Sequence, residues 1–308
     1  MLSRVRPALK PGLLPVWRDR DTLQIGIDPR RAVALTGMAG VSSVISLLDG
    51  SRDRGQVLQA ARDRGIPAET ADRVLALLAA GGALDDFPAG TLRVLPQPLR
   101  ARLAAELASV SLARRDGDGG ARTLARRSAA NIAIRGTGRI AAVVASILAT
   151  AGVGTVSDGT GSAGRVLPDL AVLIGYPDPE LSAALMSDQT PHLAASGSEA
   201  IGIVGPLVQP GHTACLRCLD LARTDRDPAW PLILAQLAGR QPVPVACDAA
   251  LAAAVAAQAA FQALAFIDGA AVPDAVRNGT LELVLPSWQW RRRTWPPHPG
   301  CSCGSYRR

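Results

Sequence analysis

The sequence predicts an α/β protein in two parts, a small N-terminal α+β unit followed by a Rossmann-like half pinned by sulfur. Three observations carry this reading. Two strand-like runs around Asp28-Pro29-Arg30 are followed by three short helical periods. A G-x-G-x-x-A loop, Gly136 to Ala141, stands between an apolar strand and an apolar helix. Four of the five cysteines fall in two close pairs, Cys215 with Cys218 and Cys301 with Cys303. The expected domains are residues 1–90, a helix and linker over 91–128, and a second domain over 129–308.

In the first part, Leu23 to Ile27 and Ala32 to Leu35 read as strands of a hairpin, because short apolar runs flank a turn-forming Asp-Pro. Val41, Val44, Ile45 and Leu48 then share one helical face that stops at Gly50. Ser51 is the expected cap of a second helix carrying Val57 and Leu58 and ending at Gly65, and Pro67 opens a third with Val74, Leu75, Leu77 and Leu78. A hairpin with three short helices is the inventory of a winged helix. Leu99, Leu103 and Leu107 mark one further helix over 97–113, and the Arg-, Gly- and Asp-rich stretch 114–128 has little to bury and reads as a linker or mobile loop.

The second part opens with the strand Asn131 to Arg135, which runs into Gly136-Thr137-Gly138 and a helix reaching about Ala151. Glycines placed this way let phosphate oxygens approach backbone N–H groups at a helix N-terminus. A second strand ends at Asp158, near the offset at which an acid would meet a ribose. Gly136, Gly138 and Asp158 are therefore the candidate nucleotide residues. Two features argue against productive ATP binding. About ten residues separate Asp158 from the strand Asp169 to Ile174, whereas a parallel crossover with its helix needs about a dozen or more, so one βα unit is missing. This half also contains no lysine, leaving Arg135, Arg139 and Arg165 as the nearby cations.

Two thiolates one or two residues apart can grip one ion from a tight turn, and a second pair completes a tetrahedral sulfur site suited to structural Zn²⁺. Pro210-Gly211, Pro299-Gly300 and Gly304 supply the turns around Cys215, Cys218, Cys301 and Cys303. Such a clamp ties the tail to the middle of the chain. His212 and His298 each precede a pair by three residues and are candidate supporting donors or alternative ligands. Cys247, just before an alanine-rich helix, reads as a small buried residue rather than a nucleophile. His192 has no obvious acid partner, and no Ser-His-Asp set is evident.

The net charge of +7 is almost wholly arginine, with Lys10 the only lysine, and most arginines alternate with Asp as on a solvated face. Arg291-Arg292-Arg293, between Trp290 and Trp295, is a local anion or nucleic-acid candidate of low rank. Met1 to Gly12 is basic, contains Pro7 and Pro11 and has no apolar run behind it, so no secretory signal is expected. Free thiols then point to the cytoplasm. The apolar stretch Ala249 to Ile267 is mostly alanine with Gln258 and Gln262, which reads as a buried helix rather than a membrane span.

The order of these parts, with Ile203 to Cys218 carrying Pro-Gly-x-x-x-Cys-x-x-Cys, resembles the E1-like (ThiF/MoeB-type) adenylating fold over about residues 130–304. The winged-helix front, the Asp28-Pro29-Arg30-Arg31 hairpin and the closing His298-Pro-Gly-Cys-Ser-Cys-Gly304 resemble the E1-like partners of thiazole/oxazole-modified peptide biosynthesis. That resemblance implies a winged helix that clamps a precursor's leader peptide, a separate YcaO-type protein doing the ATP chemistry, and homodimers. It carries the zinc set over to Cys215, Cys218, Cys301 and Cys303, and Gly136, Gly138 and Asp158 only as a remnant of a nucleotide site. The S-N-L-x-R-Q-like segment and the lysine of carboxylate-activating members have no counterpart in 159–168 or beyond.

The expectation is therefore a non-catalytic, zinc-stapled scaffold that captures a peptide and presents it to a partner enzyme. The first rival is an ATP-dependent adenylyltransferase acting on a peptide or carrier-protein carboxylate. The second is a winged-helix DNA-binding regulator, against which Glu69 and Asp72 stand on the third helix. An NAD-dependent oxidoreductase resting on the glycine loop ranks last.

Overall fold

The computed structural model describes residues 5–86, 95–158, 167–176, 178–237, 245–269 and 272–304. The chain divides into two compact units, Met1–Ala125 and Arg126–Arg308. In the first, β2 (Pro15–Trp17), β3 (Thr22–Ile25) and β4 (Val33–Thr36) form an antiparallel sheet in that order, and β1 (Pro7–Leu9) pairs with β5 (Leu84–Asp86). The predicted hairpin is β3–β4; β2 adds a third strand that the sequence hides behind a three-residue run begun by Pro15. Helices α1 (Val41–Ile45), α2 (Arg54–Asp63) and α3 (Ala68–Ala80) bury Val41, Val44, Val57, Val74 and Leu78 against Leu23, Ile25 and Leu35.

The cap of α2 is Asp53 and not Ser51. The Asp53 carboxylate accepts from the Gln56 N–H at 2.9 Å while the Gln56 side-chain oxygen accepts from the Asp53 N–H, a reciprocal box. Ser51 instead donates to Asp49. The single helix expected over 97–113 divides into α4 (Gln97–Arg102) and α5 (Ala104–Arg114), and Leu103 between them packs with Ala121 and Leu124. Those two residues belong to α6 (Ala121–Ala129), so most of the expected linker is a helix. Asp118 starts it, accepting from the N–H groups of Gly120 and Arg122, and a short two-residue apolar anchor leaves little periodicity to read.

The second unit is built on a seven-stranded sheet: β6 (Asn131–Arg135), β7 (Thr155–Ser157), β8 (Leu170–Ile174), β9 (His192–Ser198), β10 (Ile201–Val208), β11 (Gly279–Val284) and β12 (Trp290–Thr294). Its order is β12-β11-β10-β9-β8-β6-β7, with β7, β6, β8 and β9 parallel and the others antiparallel. β8 is buried on both faces. Leu170 and Val172 join the core beneath α7 (Arg139–Thr150) and α11 (Ala249–Ile267), while Ala171 and Leu173 meet Leu185 of α8 (Pro179–Ser187). Helix α11 is long and apolar enough by composition to cross a membrane, yet Leu251, Val255, Ala256, Ala259, Ala260 and Ala263 lie in this core. The remaining helices are α9 (Leu216–Thr224) and α10 (Trp230–Leu237). Within the unit, Arg127 meets Asp268 with two nitrogens at 2.8 Å each, both side chains buried.

Candidate functional site

The chain order of the parallel strands reverses at β6, with β7 on one side and β8 on the other, and the crevice at such a switch point is where doubly wound sheets bind ligands. Gly136 leaves β6 at φ 120°, and a Cβ there would stand 2.5 Å from the carbonyl oxygen of Ile174, so only glycine lets the loop pass the end of β8. Gly138 caps α7 at φ 90° with open space in front of it, leaving the helix N-terminus accessible. Arg135 reaches over to the backbone oxygen of Asp158 at 3.3 Å. The structure thus gathers Gly136, Gly138 and Asp158 at one end of the sheet. Arg165 and most of 159–168 lie outside the described residues.

Cys247 belongs to this same end, a neighbourhood the sequence did not disclose. Its sulfur lies over Gly197 of β9, where an added Cβ would come within 2.7 Å, and beside Ile140 of α7. Burial, then the Asp248 carboxylate, push its thiol up, and Arg139 only partly opposes them. A thiol held protonated is a weak nucleophile. The chain's only lysine, Lys10, is fully buried in the first unit. There its Nζ stands 3.0 Å from Asp85 and donates to the Ser111 oxygens at 2.5 and 2.9 Å, while Ser111 donates to Asp85 at 2.7 Å.

The four cysteines meet in the second unit. β10 ends at Val208, and the following loop is held by Thr213, whose hydroxyl accepts from the Gln209 N–H, and by Asn278, which accepts from the Ala214 N–H at 2.7 Å. Cys215 then caps α9, Cys218 sits one turn in, and the tail returns Cys301 and Cys303. All four sulfurs lie within 4.8 Å of one another. Tetrahedral Zn–S bonds of about 2.3 Å require sulfurs about 3.8 Å apart. The observed separations are 3.8 Å for Cys215–Cys218 and 3.6 Å for Cys215–Cys301 and Cys218–Cys303, so the donor set fits a metal ion. The Cys215 S–H donates to Cys218, which raises the former and holds the latter down to about 4, and burial raises Cys301 to about 11.

Two partners of this cluster were foreshadowed only in part. His298 is no ligand. Its Nε2 faces Asp225 at 2.8 Å and its Nδ1 accepts from the Gly300 N–H, so the ring ties the tail to the end of α9. His212 is exposed on the loop before Cys215, and His192 is buried on β9 with Nδ1 3.0 Å from the Thr190 oxygen. Trp295, buried beneath the cysteines, had no signal beyond its place after three arginines. A cavity of about 910 Å³ opens beside the site, lined in part by Met186, Arg217, Asp220, Leu234, Cys301 and Cys303.

In the first unit, β4 pairs only with β3 among the described residues, leaving its other edge unpaired. α3 runs beside β4 so closely that a Cβ on Gly81 would meet Val33 at 2.3 Å. The exposed residues of α3 are Glu69, Arg73, Ala76, Leu77, Ala79 and Ala80.

No protein-family model matches the chain, and no curated protein does. Solved structures do match over nearly all of it. E. coli MccB, in a complex with AMPCPP and MccA, is 14% identical, with a TM-score of 0.66 over 97% of this chain and 99% of that one. The heterocyclase TruD is 20% identical, with a TM-score of 0.68 over 98% of this chain and 43% of its own. The fold is E1-like. A heterocyclase in complex with substrate and cofactor shares this E1-like fold at 18% identity and a TM-score of 0.68, over 98% of this chain and 40% of the heterocyclase. The chain thus spans about two-fifths of those heterocyclase chains and nearly the whole of MccB.

Proposed function

We propose that this protein is a non-catalytic, zinc-stapled scaffold that captures a precursor (leader) peptide and presents it to a partner enzyme, such as a YcaO-type cyclodehydratase, in peptide natural-product biosynthesis. The observation that carries the reading is the edge of β4 left unpaired among the described residues, with α3 packed alongside the strand. An extended peptide can add there as a further strand, its backbone supplying affinity and its alternate side chains meeting Ala76, Leu77 and Ala80. Three strands with three helices support a winged-helix peptide clamp over residues 1–90. The likeness to MccB bound to MccA covers 97% of the chain, which includes this unit.

The scaffold role rather than catalysis is supported by the lysine count. With Lys10 buried against Asp85, phosphate chemistry at Gly138 would rest on arginine, with Arg135, Arg139 and Arg165 the candidates. Zinc at Cys215, Cys218, Cys301 and Cys303 would hold the tail and supply folding energy, not reactivity, because four sulfurs leave no open position. Action in the cytoplasm and assembly as a homodimer belong to the same reading. The test is fluorescence anisotropy of a labelled candidate leader peptide titrated with the full chain. Leu77→Arg, at an exposed position, should weaken binding at least tenfold with an unchanged circular dichroism spectrum. Undiminished binding to that variant would refute the assignment.

A second reading is favoured by one observation. Gly136 and Gly138 keep the geometry of a phosphate loop, as an adenylyltransferase would need, and MccB has been captured with AMPCPP. ATP–pyrophosphate exchange separates the two.

A further inference from the structure

We propose that β12, the outer edge of the seven-stranded sheet, is a second docking site, which receives an extended acidic segment of a partner polypeptide. The strand is exposed from Arg291 to Thr294, and its outer side pairs with no strand among the described residues. Its free N–H and C=O groups are a template that a polypeptide can use and a nucleic acid cannot. That backbone opportunity favours peptide over DNA as the occupant.

The side chains set the sign of the partner. By alternation Arg291, Arg293 and Trp295 share one face. Trp295 is 1% exposed and donates from Nε1 to Thr280 at 2.9 Å. Over its ring lie the guanidiniums of Arg293 at 4.3 Å, Arg223 at 5.3 Å and Arg226 at 5.5 Å, with Arg223 also 4.8 Å from the Trp230 ring. Arg223 has Asp220 at 3.5 Å, but Arg226, Arg291 and Arg293 make no ion pair among the described residues. Glu282 stands opposite Arg291 in register yet takes its hydrogen bond from Thr280 at 3.0 Å. Arg292, on the other face, is spent on the backbone oxygens of Asp274 and Arg277 and so braces the strand. The guanidiniums gathered around the Trp295 ring carry like charge, and carboxylates arriving on alternate residues of an added strand would offset it. The competing explanation is that edge arginines merely deter aggregation, or serve the neighbouring cysteine site.

The probe is a fluorescein-labelled, end-capped 12-residue peptide of alternating Glu and Thr, titrated by anisotropy into the full chain as isolated. Saturable binding is expected, weakening at least tenfold in the double variant Arg291→Glu/Arg293→Glu and when alternate backbone nitrogens of the probe are methylated. Should the double variant misfold, Arg291→Gln alone is expected to weaken binding at least twofold. Leu77→Arg is expected to leave the affinity unchanged, which separates this site from the proposed leader-peptide site. Absence of binding, retention by the methylated probe, tighter binding of a 12-base-pair duplex, or loss through Leu77→Arg would each overturn the proposal. Zinc release by Arg291→Gln with no change in affinity would assign the arginines to the metal site instead.

Discussion

Lys10 shows how much one residue can say about a chain with 32 arginines and a single lysine. Its ammonium, Asp85 and Ser111 form a closed, buried set joining β1, β5 and α5. Removing one ion of such a pair strands the other, at a cost of roughly 3–5 kcal/mol. Lys10→Met should therefore lower stability by about that amount in urea denaturation, and Lys10→Met with Asp85→Leu should recover part of it. His192 makes a pH prediction. Burial lowers its pKa below the ordinary 6.5, so the unfolded chain binds a proton there that the folded chain resists. Its contribution is thus intact above about pH 6.5 and is lost as pH falls below that value. Stability measured from pH 7.5 to 5 should decline less in His192→Asn than in the parent protein.

At the level of elements, strong periodicity was legible and weak periodicity was not. Helices α3, α7 and α11 carry several apolar residues on one face, so their positions follow from spacing. Helix α6 is different. It is anchored by Ala121 and Leu124 and started by Asp118, and its arginines made the stretch read as a linker. The cap of α2 was misplaced by two residues because Ser51 and Asp53 both suit the role by type; the reciprocal partner Gln56 decides for Asp53. Asp53→Ala should cost about 1 kcal/mol in thermal or urea unfolding, and Ser51→Ala appreciably less.

Across the whole chain, the candidate metal site was legible because cysteine pairs are scarce and their spacing is tied to coordination geometry. What surrounds it was not. His298 meets Asp225 across 73 residues, and Trp295 collects arginines from α9 and from β12. No spacing rule encodes such meetings, since the fold alone brings them about. If the four sulfurs hold zinc, its binding energy is folding energy on the order of 10 kcal/mol. Prolonged chelation should lower the melting temperature and expose the tail to proteolysis, and Cys301→Ser should reduce the metal-to-protein ratio found by elemental analysis. The central proposal is that the glycine loop between β6 and α7, in a half of the chain with no lysine, does not support adenylation. ATP–pyrophosphate exchange with labelled pyrophosphate, in the presence of saturating precursor peptide, tests it most directly. The account predicts no exchange above the protein-free baseline, and robust exchange abolished by Gly138→Ala would contradict it.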